Sequence, residues 1–272
     1  MLLNAREEFV AEDRGSAKYL TDNNLRQVVL DIFGAGTGTS GGILSYCFIR
    51  LANDPTLQDE LRSEIVTEIG SRRCTNEDRG RMPKVDSFLQ EIIRYYPAAP
   101  LSLPRRAMED VTISESPQLT PCHRTSRIRS VMSDVCKLFE NSRRMLVSTI
   151  NFLSSDGRFV PKDCDLMINL FAVNRDESIW GPDAAEFKPG RFLTVTKDQQ
   201  ARGANSFGIG ARSCPGEKMA LADMFYTIVR TLQKIKLECV KGPGTALMEK
   251  KTSDILLDAP RQEMIFKKIV EQ

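Results

Sequence analysis

Apolar residues recur at helical spacing over three stretches near the start of the chain. These stretches are residues 21–53, 55–69 and 85–96. Side chains three and four positions apart lie on one face of a helix, so each stretch predicts an amphipathic helix. Thr21 or Asp22 is a suitable N-cap for the first helix, and Pro55 follows its end. The first predicted helix is unusually long for a globular domain.

A run of glycines lies in the middle of this long helix. Its members are Gly34, Gly36, Gly38, Gly41 and Gly42. Each glycine costs a helix interior about 1 kcal/mol relative to alanine. Two interpretations follow: either the helix breaks into two here, or something large lies against its backbone, with a local opening of the helix.

Shorter patterns fill the rest of the chain. Residues 100–113 and 157–176 contain strand-like runs with a turn at Pro161-Lys162. A long helical pattern covers about residues 215–237, and the following alternation around Gly242-Pro243-Gly244 predicts a small antiparallel sheet. The predicted fold class is therefore mainly α with small β-sheets.

Composition excludes several classes of function. The 272 residues carry a net charge of only +2, from 38 basic and 36 acidic side chains, so no nucleic-acid partner is indicated. His123 is the single histidine, which disfavours Ser-His-Asp triads, Cys-His pairs and histidine-rich metal sites. The cysteines show no CxxC spacing, which argues against a disulfide framework or a zinc site. A metal bound by this chain would therefore have a sulfur ligand.

Cys214 has the surroundings that such a ligand needs. It directly precedes Pro215, which suits the first turn of the predicted helix, and helix N-termini stabilise negative charge such as that of a thiolate. Glycines on both sides allow the backbone to fold closely around a sulfur atom. Arg212 can reach a carboxylate on whatever the sulfur holds. The alternative is an inert, buried cysteine.

The spacing Phe207-x-x-Gly210-x-Arg212-x-Cys214-x-Gly216 resembles the haem-binding loop of the cytochrome P450 haem-thiolate monooxygenases. The resemblance implies haem b as the cofactor and Cys214 as the axial ligand of its iron. It also implies a set of further haem-binding residues. These are Phe207, Gly208, Gly210, Arg212, Gly216, Arg105, Ala35 and Gly36.

Further motifs occur in the order of the same family. "EIIR" resembles its ExxR motif and "FKPGRF" its aromatic-Pro-x-Arg-Phe motif, which implies a structural triad of Glu91, Arg94 and Arg191. "AGTGTS" resembles the oxygen-activating segment of the long central helix, with Thr39 as the catalytic threonine. Gly38 stands where the family has an acidic residue, which puts efficient proton delivery in doubt. "PRRA" places Arg105 where the family has a basic residue near a haem propionate.

The resemblance implies insertion of one oxygen atom of O2 into a lipophilic substrate. Electrons would come from NADPH through a flavoprotein reductase, or from an iron–sulfur donor. "DIFGAG" and "VNRDESIW" look most like animal microsomal members that oxidise steroids or xenobiotics, which implies the endoplasmic reticulum membrane, with mitochondria as the second choice. Two alternatives remain: a haem-thiolate isomerase or peroxygenase that needs no reductase, and a truncated product without catalysis.

The resemblance covers only the second half of the family. We interpret residues 1–272 as a partial cytochrome P450 domain without the membrane anchor, and we expect it to be inactive, or nearly so. Residues 114–155 have no family counterpart, whereas joining Ile113 to Asp156 gives the family-like run "EDVTIDGRFVPKDC". We predict that this segment is an insertion, either a retained intron or an unusual loop.

Overall fold

The structure, a computed structural model of the chain, describes residues 19–113, 148–150, 158–196, 199, 205–244, 251–252 and 256–269. Within these ranges the protein is mainly helical with small sheets, as predicted. The α-helices are α1 (Asp22–Asn53), α2 (Pro55–Ile69), α3 (Pro83–Tyr95), α4 (Leu170–Val173), α5 (Glu177–Trp180) and α6 (Glu217–Lys234). Short 3-10 helices span Asn76–Arg81, Arg191–Leu193 and Gly210–Arg212.

The long helix α1 is continuous over 32 residues, so the interpretation of two helices is wrong. Thr21 caps it, since its hydroxyl oxygen accepts the backbone N–H of Asn24 at 3.2 Å. The expected local opening at the glycine run is not observed either, because every residue from 22 to 53 is α-helical. Burial of the second half of α1 provides the apolar stabilisation that offsets the helix-breaking tendency of the glycines.

The two halves of α1 differ in their surroundings. Six side chains of the second half are buried: Ile43, Tyr46, Cys47, Ile49, Leu51 and Ala52. Five large apolar side chains of the first half are exposed: Val28, Val29, Leu30, Ile32 and Phe33. Despite this apolar surface, no helix within the described ranges has both the length and the apolar character that crossing a membrane requires.

The second half of α1 packs with α2, α3 and α6 around one apolar core. Among its fully buried side chains are Ile65 of α2, Ile92 of α3 and Ile228 of α6. The carboxylate of Glu64 in α2 accepts the backbone N–H groups of Lys84 and Val85, at 3.0 and 2.9 Å. These N–H groups lie in the first turn of α3 and have no acceptor within the helix, so Glu64 fixes the start of α3 against α2.

Small sheets surround the helices. The strands are β1 (Arg105–Arg106), β2 (Val111–Ile113), β3 (Ser148–Ile150), β4 (Arg158–Val160), β5 (Asp165–Ile168), β6 (Ile235–Cys239), β7 (Lys251–Thr252), β8 (Leu257–Asp258) and β9 (Met264–Lys268). β5 lies between β1, which is antiparallel to it, and β3, which is parallel. The pairs β2–β4, β6–β9 and β7–β8 are antiparallel.

The last helix is shorter than the sequence predicts. α6 starts at Glu217 with Gly216 as N-cap, so Pro215 precedes the helix instead of lying in its first turn. It ends at Lys234, where the chain turns directly into β6. The apolar spacing up to Leu237 suited a helix, but pairing with β9 determines the conformation of residues 235–239.

The predicted insertion lies largely outside the described residues, as does His123. Its described part is β3, which pairs with β5. The flanking strands β2 and β4 pair with each other in the register Val111↔Val160, Thr112↔Phe159 and Ile113↔Arg158. The boundaries 114–155 therefore remain a prediction.

Candidate functional site

The segment that contains Cys214 forms a compact turn before α6, and residues 205–216 are called the cysteine loop below. The backbone N–H of Cys214 donates to the carbonyl oxygen of Phe207 at 2.8 Å. The N–H of Gly208 donates to the carbonyl oxygen of Asn205 at 2.7 Å, and that of Ser213 to Gly210 at 3.1 Å. The loop is thus closed on itself by backbone hydrogen bonds.

Two glycines make this turn possible. Gly208 and Gly210 have φ angles of 78° and 70°, a backbone region that other residues adopt only with strain. A β-carbon at Gly208 would make only an ordinary contact, 3.6 Å from the Cα atom of Ser213, so the positive φ is what favours glycine there. Gly216 has an ordinary φ of −91°, and a β-carbon there would lie 3.8 Å from the sulfur of Cys214.

Cys214 itself is exposed, so the buried location that the alternative interpretation assumed is not observed. Arg212 is exposed as well, whereas Phe207 is half-buried and packs against the main apolar core. The cysteine loop thus has an inner end that holds it and an outer end that carries the thiol. No set of three or more His, Cys, Asp or Glu side chains in the described part of the chain could hold a metal ion.

Arg105 joins a different part of the chain to the cysteine loop. It lies in β1, and one terminal nitrogen of its guanidinium donates to the carbonyl oxygen of Arg212 at 3.0 Å. The structure therefore brings together two arginines that the sequence places more than a hundred residues apart. Guanidinium N–H groups left over from this contact suit carboxylates such as those of a haem propionate.

The glycine run of α1 presents open space. Added β-carbons at Gly34, Gly36, Gly38 and Gly41 would meet no neighbouring atom within 4 Å. Ala35 is exposed, Gly36 is half-buried, and the hydroxyl of Thr39 donates to the carbonyl oxygen of Ala35 at 2.7 Å. An open backbone face of this kind could accept a flat group.

Glu91, Arg94 and Arg191, called the charge network below, are brought together in the interior. Arg94 donates to both carboxylate oxygens of Glu91, at 2.7 and 2.8 Å. Its other N–H groups donate to the carbonyl oxygens of Asn174, Ala184 and Glu186. All five donors of the guanidinium therefore have acceptors, which is the requirement for a buried charge.

Arg191 completes the charge network from a distant part of the chain. Its Nε donates to Glu91 at 3.3 Å, and its terminal nitrogens donate to Trp180, Asp183 and Glu186. Burial lowers the pKa of Arg191, but hydrogen bonds to Asp183 and the charge of Glu91 outweigh it, so the net pKa is raised. All five donors of the Arg191 guanidinium therefore have acceptors, as those of Arg94 do.

Asp183 is a member of this arrangement that the sequence did not indicate. Its carboxylate accepts from Lys188 and, at 2.7 Å, from Arg191. The hydrogen bond from Lys188, with that from Arg191, lowers the pKa of Asp183 to about 2. Its neighbourhood, the segment "GPDAAEFKPGRF", offered no spacing from which this contact could have been predicted.

The observed groups fit a haem. The exposed thiol before α6, the exposed arginine two residues before it and the open space at the glycines of α1 would offer such a group a sulfur ligand, a cation and room for a flat ring. α6 and α1 also pack against each other, so the loop and the glycine face belong to one folded unit. The individual roles of Thr39, Ala35, Gly36 and the loop residues stay predictions.

Comparison with protein families assigns the chain. The family model described as "Cytochrome P450" matches residues 1–121 and 143–266. This match covers most of the sequence, and the chain belongs to the cytochrome P450 family, whose members are haem b monooxygenases. The unmatched residues 122–142 lie within the predicted insertion.

Individual relatives come from both plants and mammals. The chain is 28% identical to cytochrome P450 82A1 of Pisum sativum over 84% of this chain and 35% of that protein. It is 28% identical to (S)-N-methylcoclaurine 3'-hydroxylase isozyme 1 of Papaver somniferum, over 85% of this chain and 40% of the relative. Cytochrome P450 1A1 of Felis catus is 26% identical, over 85% of this chain and 37% of that protein. The chain therefore spans well under half the length of these relatives.

Solved structures show the same fold. A zebrafish cytochrome P450 determined with abiraterone superimposes with a TM-score of 0.66 at 23% identity. The match covers 92% of this chain and 49% of that protein. The described structure is therefore a partial cytochrome P450 fold.

Proposed function

We propose that this chain binds haem b through the thiolate of Cys214. We further propose that the protein's chemistry is insertion of one oxygen atom of O2 into a lipophilic organic substrate, with electrons passed from NADPH by a flavoprotein reductase, and that residues 1–272 on their own show little or none of this activity. The observation that carries the proposal is the exposed thiol of Cys214 in a glycine-dependent loop before α6. An iron–sulfur protein is the second choice of electron donor.

The chain's own residues would divide the work of binding. Cys214 would supply the sulfur ligand, Arg105 and Arg212 would supply cations for the propionates, and Ala35 and Gly36 would provide a face without large side chains. Gly208, Gly210, Gly216 and Phe207 shape the loop that presents the sulfur. When bound, haem iron supplies the activation of O2 and the transfer of oxygen.

Thr39 would hold a proton-carrying water. Its hydroxyl hydrogen is committed to the carbonyl oxygen of Ala35 at 2.7 Å, so its free lone pairs can accept a hydrogen bond from water. At the preceding position Gly38 offers no acid to relay the proton onward. Because a β-carbon at Gly38 would meet nothing within 4 Å, this position has room for one.

The exposed apolar side chains at residues 28–33 of α1 support a lipophilic substrate of the steroid or xenobiotic type. Phe33, which is 73% exposed, lies less than two turns before Thr39. One relative is named as an (S)-N-methylcoclaurine 3'-hydroxylase, and hydroxylation of an organic molecule fits oxygen insertion. By the same family analogy we propose the endoplasmic reticulum membrane as the location.

A haem-thiolate isomerase or peroxygenase is the second candidate function. Gly38 favours it, because peroxide-dependent or rearrangement chemistry does not depend on proton delivery to bound oxygen. Turnover supported by peroxide but not by NADPH with a reductase would establish this candidate. Replacing Gly38 by Glu should then raise the reductase-supported rate if proton delivery is what the chain lacks, and leave it unchanged otherwise.

The decisive experiment is the absorption spectrum of the reduced, CO-bound protein. We expect a thiolate-type Soret band in the wild-type chain and its loss in Cys214→Ala. Cys164→Ala is the matched control, since Cys164 is half-buried beside β5 and has no assigned role in the site. A thiolate band that survives in Cys214→Ala would refute the ligand assignment. Absence of the band from the wild-type chain would favour a non-catalytic product.

A further inference from the structure

A buried amide links the charge network to the cysteine loop. Asn174 is completely buried at the C-terminal end of α4. Its side-chain nitrogen donates to the carbonyl oxygen of Arg94 and to the hydroxyl of Ser206, both at 2.9 Å. We propose that Asn174 is a positioning residue, which holds the cysteine loop in place through Ser206.

The contact between Asn174 and Arg94 is reciprocal. The guanidinium of Arg94 donates to the backbone oxygen of Asn174, while the amide of Asn174 donates to the backbone oxygen of Arg94. The backbone N–H of Asn174 also donates to the carbonyl oxygen of Leu170 at 2.9 Å. Asn174 is therefore fixed at its backbone before its side chain reaches the loop.

Ser206 carries the connection onward. Its hydroxyl accepts from Asn174 and donates to the carbonyl oxygen of Ile93 at 3.3 Å, so the loop is held to the end of α3. The next residue is Phe207, whose carbonyl oxygen accepts the N–H of Cys214. A short series of contacts thus runs from Arg94 through Asn174 and Ser206 to the backbone of Cys214.

The hydrogen bonds of Asn174 show what its side chain is used for. Both amide N–H groups are engaged, whereas its Oδ1 atom has no partner among the described residues. An unpaired buried oxygen has a cost in stability. The two hydrogen bonds that the Asn174 amide donates therefore explain why an amide stands at this position, because its oxygen atom makes no hydrogen bond that could explain it.

Hydrogen exchange of the cysteine loop tests the inference without any haem. In Asn174→Ala, amide exchange of the peptide covering residues 205–216 should accelerate about tenfold, since losing two buried hydrogen bonds favours local opening. Ser206→Ala removes the loop side of the same contact and should give the same direction of change. Ser206→Thr keeps a hydroxyl at this position, so exchange of the same peptide in this variant should stay close to the wild-type rate.

Gln58→Ala is the matched control. Gln58 is a buried amide that joins α2 to β6, with hydrogen bonds to Leu51 at 3.0 Å and to both backbone groups of Leu237 at 2.9 and 2.8 Å. Its loss should destabilise the protein and leave exchange of the 205–216 peptide at the wild-type rate. Equal acceleration in Gln58→Ala and Asn174→Ala, or no acceleration in Ser206→Ala, would overturn the inference.

The consequence for the iron ligand rests on the proposed function and has a separate readout. In the CO complex, Asn174→Ala and Ser206→Ala should lose the thiolate-type band several times faster than the wild type, while Gln58→Ala should keep it. A wild-type chain without this band refutes haem ligation but does not change the exchange result. Normal retention of the band in both variants would refute the positioning role.

Discussion

The charge network and the cysteine loop differ in how deeply their side chains are buried and in the hydrogen bonds that hold them, and both properties govern the response to substitution. Side chains of the network are at most 8% exposed, and each guanidinium donor has an acceptor. The thiol of Cys214 and the side chain of Arg212 are exposed, and the loop is held by backbone hydrogen bonds. The network is buried and fully hydrogen-bonded, whereas the loop presents an exposed thiol.

A residue can be essential because the fold depends on it or because the proposed haem ligation depends on it, and the two regions illustrate one case each. A buried charge that loses its partner destabilises the fold, because no water can replace the lost hydrogen bonds. Removing an exposed thiol has no such cost in stability, but no other side chain could replace Cys214 as the proposed sulfur ligand. Unfolding measurements and haem spectra should therefore rank the same variants in opposite orders.

The largest effect on stability is expected for Glu91→Ala. Its removal leaves Arg94 and Arg191 buried without their shared carboxylate, which should lower the free energy of unfolding by about 3–5 kcal/mol. Urea unfolding followed by circular dichroism measures this loss. Glu60→Ala, an exposed glutamate of α2, should change it by less than about 0.5 kcal/mol. Normal stability and haem loading of Glu91→Ala, with only a slower rate, would indicate a catalytic role instead.

Deletion of residues 114–155 should have a smaller effect, and in the stabilising direction. β2 and β4 end at the pair Ile113↔Arg158, so the deletion leaves Asp156-Gly157 as a two-residue connection, a preferred turn for a β-hairpin. Shorter loops close at a lower entropic cost, so a gain of up to about 2 kcal/mol is expected.

Loss of β3, which pairs with β5, offsets part of this gain. The deletion touches neither the charge network nor the cysteine loop, so both should survive it. A folded variant with a wild-type or higher unfolding midpoint would support the prediction. An unfolded variant, or abundant transcripts that all retain these codons, would argue against the interpretation as a retained intron.

Local regularities allowed much of the structure to be predicted. Spacing by three and four positions identified α1, α2 and α3, and the same rule placed Glu91 and Arg94 on one helix face. The predicted end of α6 was wrong, because the pairing of residues 235–239 with β9 is a long-range interaction that helical periodicity does not indicate. Contacts that are fixed by tertiary packing are invisible to local patterns for the same reason.

The contacts of the site illustrate this limit. Arg191 lies a hundred residues from Glu91, and only the family motif suggested that they meet. Asn174 and Asp183 belong to no recognised spacing, and their contacts with Arg94 and Arg191 are evident only in the folded structure. The loop around Cys214 was predictable because proline and glycines stand close to this residue in sequence, whereas its role as a ligand stays a prediction.

Asp183→Asn should show how the partly exposed edge of the charge network responds to pH. The pKa of Asp183 is lowered to about 2 in the folded protein, against about 3.9 for an ordinary aspartate. Its stabilising contribution is therefore complete above about pH 4 and disappears as the pH falls towards 2. The contribution is smaller than that of Glu91, because the Asp183 side chain is 30% exposed and solvent screens its charge.

The measurement for Asp183 is the difference in urea midpoint between wild type and Asp183→Asn from pH 7 to pH 3. The difference should be constant down to about pH 5 and shrink below pH 4. Asp59→Asn, which replaces an exposed aspartate of α2, should show no such change. A constant difference over the whole range would mean that Asp183 is not ionised and paired in the folded state.

The smallest effect on stability is expected for Cys214→Ala, the variant with the largest effect on haem ligation. The thiol is exposed and its backbone hydrogen bond to Phe207 does not involve the side chain, so unfolding of the haem-free chain should change by less than about 0.5 kcal/mol. Cys47→Ala provides the contrast, because Cys47 is fully buried in α1 and its replacement should cost about 1 kcal/mol without affecting the thiolate band. If Cys214→Ala were as destabilising as Glu91→Ala, the sulfur would have a structural role in the cysteine loop. The contrast between a buried network that stabilises the fold and an exposed thiol that does not would then be incorrect.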